Sequence, residues 1–242
     1  VESRGLGDVY KRQIHTNDTH GFDRRAEGIN GMATVSALRK HYLSQGKDVL
    51  LVDAGDAIQD NNLVNFSKGK SAIAFMNAAG YDAMALGNHE FDYGQEVLAE
   101  RVREAKFPML SANVIVEATG RPLTRDSVIY KKGDVKIGII GLTTPETVVT
   151  TNPKNVYGLK FLDAKATIAV TQNLVKKLKE EDKCDLIVAV GHLGSEDANR
   201  GHRSDDILMN VNGIDIFIDG HDHTAKNKYI NGALLAETCL LY

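Results

Sequence analysis

Five short apolar runs, at residues 14–16, 49–52, 83–86, 185–190 and 214–218, each end in a turn that carries Asp, Asn or His. Runs of this length bounded by polar or glycine-containing turns read as buried strands. Helical patterns lie between them. Met32, Val35, Leu38 and Tyr42 recur at helical spacing ahead of Gly46, and residues 71–79 and 95–105 predict two further helices. Residues 164–181 predict a long helix, N-capped by Asp163, with Ile168, Thr171, Leu174, Val175 and Leu178 on one stripe. After Pro108, residues 109–112 predict another strand, residues 128–130 and 135–140 a hairpin, and Asn231-Gly232 a tight one. Ser204 is expected to cap a short helix, and the polar stretch 143–158 to form a surface loop. This alternation predicts an α/β layered domain with a mixed sheet or two sheets.

The polar turns carry the chemistry. Of 8 histidines, His20, His89, His192, His221 and His223 fall in them, whereas His15, His41 and His202 do not. In open α/β sheets, ligand sites are built at the carboxyl ends of strands. Asp18, His20, Asp56, Asn88, His192, His221 and His223 together make a donor set of nitrogen and oxygen without sulfur. Such a set suits Zn, Mn, Fe or Co better than Ca, which prefers oxygen alone, or Mg, which keeps its waters. One catalytic ion takes about three protein ligands, so this many donors fit two divalent transition-metal ions. Two such ions about 3.5–4 Å apart repel strongly and call for a shared carboxylate, for which Asp56 is the candidate. A water held between them loses a proton near neutral pH and becomes a nucleophile for attack at phosphorus.

Other classes are excluded more simply. A formal net charge of -3, with Lys and Arg scattered, argues against docking to nucleic acid. No apolar run is long enough to cross a bilayer. The 2 cysteines, Cys184 and Cys239, lack the CxxC spacing of a thiolate zinc site and are too few for a disulfide framework.

Asp18-x-His20, Gly55-Asp56, Gly87-Asn88-His89-Glu90, Gly191-His192 and Gly220-His221-x-His223, in that order, resemble the signature of the calcineurin-like metallophosphoesterases. Residues 16–21 and 88–92 resemble more closely the branch of 5'-nucleotidases, UDP-sugar hydrolases and 2',3'-cyclic-nucleotide phosphodiesterases. The resemblance implies a four-layer αββα sandwich with mixed sheets and a nucleotide or nucleotide-sugar substrate. It implies one ion on Asp18, His20, Asp56 and His223, and the other on Asp56, Asn88, His192 and His221. His89 stays free of metal, assists the leaving oxygen and is oriented by Asp92; Asn88 and His89 also meet the substrate. Glu90 is left as a supporting residue or helix cap. The family's location is periplasmic, secreted or at the cell surface. Residues 1–13 and 239–242 read as non-native leader and tail around a catalytic domain at 14–238, and the family's C-terminal substrate-binding domain is expected to lie beyond this chain. A reading from another class, an inactive binding protein on the same fold, is disfavoured because none of the ligand positions is replaced.

Overall fold

The computed structural model describes residues 11–21, 31–196, 199 and 201–238. Phe22 of the first loop, the tail at 239–242 and most of the expected leader lie outside the described residues. The first half of the chain runs through β1 (Lys11–Thr16), α1 (Met32–Ser44), β2 (Asp48–Asp53), α2 (Asn62–Phe66), α3 (Lys70–Ala79), β3 (Ala83–Ala85) and α4 (Gln95–Glu104). Then follow β4 (Met109–Leu110), β5 (Val114–Val116), β6 (Arg121–Pro122), β7 (Ser127–Lys132), β8 (Val135–Thr143), α5 (Thr147–Thr150) and β9 (Leu159–Phe161). The last third holds α6 (Ala164–Lys176), β10 (Leu186–His192), α7 (Ser204–Asn210), β11 (Ile216–Asp219), β12 (Lys226–Ile230) and β13 (Ala233–Glu237).

The strands form a 4-stranded sheet, β1-β2-β3-β4, a 6-stranded sheet, β12-β13-β11-β10-β8-β7, and a small 3-stranded one, β6-β5-β9. The first is wholly parallel. The second is mixed, with β8, β10, β11 and β13 parallel and the hairpin partners β7 and β12 antiparallel.

Alternation of side chains along each strand separates the layers. In β2, Leu51 faces Ile73 and Met76 of α3, while Leu50 and Val52 face the other sheet. In β10, Ile187 and Ala189 pack with Leu174 and Val175 of α6 and Ile207 and Leu208 of α7, while Val188 and Val190 face inward. Residues from both sheets, among them Ala83, Ala85, Ile139 and Ile218, share one dry seam. The result is the expected helix, sheet, sheet, helix stack.

Differences from the sequence reading are local. Stretch 143–158 is not a bare surface loop: it includes α5 and a turn of 3-10 helix at Pro153–Asn155. The long helix keeps its α geometry to Lys176 and widens over Lys177–Glu181. Its expected Asp163 cap is present, with the carboxylate accepting from Ala166 N at 2.8 Å. Arg203, not Ser204, holds the cap position of α7; Ser204 is buried and its N–H donates to Gly194 O.

Ile139 is wholly buried in the seam between the sheets. Ile139→Ala is expected to cost about 2–5 kcal/mol of stability, through lost transfer energy and the cavity left behind. Urea unfolding measures this, and a loss below about 1 kcal/mol would mean that the seam is loosely packed.

Candidate metal centre

The carboxyl ends of β1, β2 and β3 from one sheet meet those of β10 and β11 from the other. The turn after β1 docks on the turn after β2 through backbone hydrogen bonds, Asp18 N to Gly55 O at 3.0 Å and His20 N to Asp56 O at 2.9 Å. Asp18, His20, Asp56, His221 and His223 have φ of +49°, +46°, +59°, +97° and +53°. That is five of the nine non-glycine residues with positive φ among the described residues. Such conformations persist only where the surroundings over-determine them, and they gather at functional sites. Gly87 is required for a different reason: a Cβ there would lie 2.2 Å from Asp56 Oδ1, so only glycine lets that carboxylate cross.

Ligand atoms of Asp18, His20 and His223 lie within 4.8 Å of one another, and so do those of Asp18, Asp56 and His192. Asp18 is common to both groups. The imidazoles are oriented by their second nitrogens. His192 Nδ1–H donates to the Ala54 carbonyl at 2.7 Å, which leaves Nε2 facing Asp56 Oδ2 at 3.0 Å and Asp18 Oδ1 at 3.8 Å. His20 Nδ1–H points to Asp60 Oδ2 at 2.9 Å, leaving its Nε2 3.2 Å from His223 Nε2. A carbonyl or carboxylate behind the ring is the usual device for presenting the opposite nitrogen to a metal.

One buried acceptor of the site, Asn88 Oδ1, has no hydrogen-bond partner. A buried acceptor without a partner is costly, and this one belongs to the expected ligand set. Burial opposes the charged form of Asp56, yet His192, His89 and His20 beside it hold it well below the usual carboxylate range. Asp18 is likewise lowered, against burial, by His192 and His223. His192 is raised well above an ordinary imidazole by these carboxylates despite its complete burial. The pocket demands positive charge, and its donors fit divalent metal ions.

His89 lies beside this cluster with its ring centroid 5.5 Å from that of His20. Its Nδ1–H donates to Asp92 Oδ2 at 2.7 Å. Although burial works against the cation, the bond to Asp92, together with Asp56 and Glu90, raises His89 to about 9. Asp92 is itself held by the 143–158 stretch: Thr151 Oγ1 donates to its Oδ1 at 3.2 Å and Asn155 Nδ2 to its backbone carbonyl at 2.8 Å.

Of the residues named from the sequence, Asp18, His20, Asp56, His192 and His223 bring ligand atoms together here, while the His221 ring lies at the edge, 5.1 Å from that of His192. Sequence reasoning understated Glu90 and missed Glu146. Glu90 is fully buried; its carboxylate accepts from Asp56 N and Ala57 N at 2.9 Å and from Gly87 N at 2.6 Å, tying two of the turns together. Glu146 follows the end of β8, a strand parallel to β10, and its Oε2 lies 3.2 Å from His221 Nε2. Its position after a parallel strand end is the signal that would have found it.

Comparison with known proteins agrees with this arrangement. A 5'-nucleotidase of Vibrio cholerae is 41% identical over 192 residues, covering 77% of this chain and 34% of that protein. The protein UshA of Escherichia coli K12 is 36% identical over 189 residues, covering 76% of this chain and 34% of its own. This chain thus spans about a third of the length of these curated relatives. The crystal structure of a 5'-nucleotidase precursor from Thermus thermophilus superimposes with a TM-score of 0.80 at 29% identity, over 93% of this chain and 48% of that one. Residues 11–225, from the first strand to just past His223, match the calcineurin-like phosphoesterase family, and the chain belongs to it.

Proposed function

We propose that the chain is the catalytic domain of a hydrolase that cleaves phosphoesters of nucleotides with two divalent metal ions. The observation that carries this reading is the convergence of Asp18, His20, Asp56, His192 and His223 at one point, with His89 beside them and bonded to Asp92. The likeness to 5'-nucleotidases supports nucleotides as the substrate class.

Asp18, His20, Asp56 and His223 would hold one ion and Asp56, Asn88, His192 and His221 the other, from among Zn, Mn, Fe and Co. Bound there, the ions supply Lewis acidity and bring the pKa of a water near neutrality. The chain's own residues do the rest. His89, charged and anchored by Asp92, offers its Nε2 proton to the oxygen that leaves phosphorus, as general acid. Asn88 and His89 would meet the phosphate as well. Glu90 accepts from the backbone N–H groups of Asp56 and Gly87 and so joins the turns that carry Asp56 and Asn88.

Among the described residues no helix is long and apolar enough to cross a membrane. A location in the periplasm, at the cell surface or outside the cell is supported by the likeness to a 5'-nucleotidase precursor.

The test is phosphate release from a nucleoside 5'-monophosphate and from an aryl phosphate by the chain loaded with Mn2+. Absence of turnover on both with metal bound would overturn the reading. His89→Ala is expected to keep both ions and lower turnover by roughly 10²–10⁴-fold, and loss of metal would show that His89 is a ligand. Asp56→Asn is expected to release metal, measured by elemental analysis. If Asp18→Asn empties both sites and Asp56→Asn only one, the bridging carboxylate is Asp18.

A further inference from the structure

We infer that Glu146 is a positioning residue: it fixes the tautomer of His221 and thereby decides which ring nitrogen His221 presents to the second ion. This rests on the dinuclear reading of the site. Glu146 Oε2 lies 3.2 Å from His221 Nε2, and a carboxylate only accepts, so Nε2 carries the hydrogen and Nδ1 keeps the lone pair. The other end of His221 is equally constrained. Its backbone N–H donates to Asp18 Oδ2 at 3.0 Å, its φ is +97°, and its ring stands at 65° to that of His192. With the backbone pinned and Nε2 occupied, Nδ1 is the atom left to bind metal.

The carboxylate is held in turn. Glu146 N donates to Thr144 Oγ1 at 3.3 Å, and His202 Nε2 stands 3.6 Å from the second carboxylate oxygen, Oε1. Neither His221 nor Glu146 belongs to the two groups of converging ligand atoms among the described residues; the His221 ring packs against His192 at their edge, with Glu146 on its Nε2 side. The arrangement is chemically the same as the carbonyl behind His192 and the carboxylate behind His20, with the ring reversed. Outer partners of this kind are worth roughly 10–100-fold in metal affinity.

Calorimetric titration of the full chain with Mn2+ tests this, with melting of the metal-free protein and nitrogen-15 correlation spectra of the histidine rings alongside. Glu146 is partly exposed, so its substitution leaves the fold intact. Wild type is expected to bind two ions. Glu146→Ala is expected to weaken one by roughly 10–100-fold, leave the other and the metal-free melting temperature unchanged, and abolish the Nε2–H pattern of His221. Glu146→Gln, which keeps an acceptor oxygen, is expected to restore the pattern and part of the affinity. If wild type binds two ions and Glu146→Ala binds both equally well, this inference falls and the dinuclear reading stands. If Glu146→Ala loses both ions and melts lower, the role is structural and the inference is again overturned. If wild type binds none, both fall.

Discussion

Asp18 and Asp56 bring two carboxylates into buried positions, and the surrounding structure is arranged to make that tolerable. An unpaired buried charge costs on the order of several kcal/mol, so each must be met by donors or by positive charge. Donors meet part of the demand: Asn17 Nδ2 at 2.6 Å and His221 N on Asp18, His89 N at 2.9 Å on Asp56. The remainder falls to the imidazoles and to the cations the site is built to take. Holding the carboxylates there also forces the backbone into left-handed turns on both sides of the seam.

Much of this was readable because each candidate ligand sits in the turn after a strand, where a short apolar run makes the turn stand out. The helices with a clear stripe, α3, α4 and α6, were visible for the same reason of periodicity. What escaped depends on partners distant in the chain. The strands of the small sheet, β5, β6 and β9, have 2 or 3 residues each, too few to show alternation, and they exist because they pair with one another. The carbonyl of Ala54 orients His192, yet a backbone oxygen leaves no trace in residue identity. Glu90 read as a supporting residue or helix cap from its place in the turn; that it accepts from residues more than thirty positions earlier is a tertiary fact.

The polar stretch 143–158 gains most from the structure. It supplies Glu146 to His221 on one flank of the site, and Thr151 and Asn155 to Asp92 on the other. A segment with little regular structure therefore contacts both His221 and Asp92. Its shape is maintained by local hydrogen bonds, such as Thr147 Oγ1 to Thr144 O at 2.7 Å, and by its anchorage to β8.

The bond from His192 to the Ala54 carbonyl joins residues 138 positions apart, and that from His221 to Asp18 joins residues 203 apart. Contacts of that sequence separation tie the two sheets together at the site. Neither half of the chain holds the full ligand set by itself. A divalent metal ion bound at the junction of the two sheets would therefore stabilise the finished architecture by mass action.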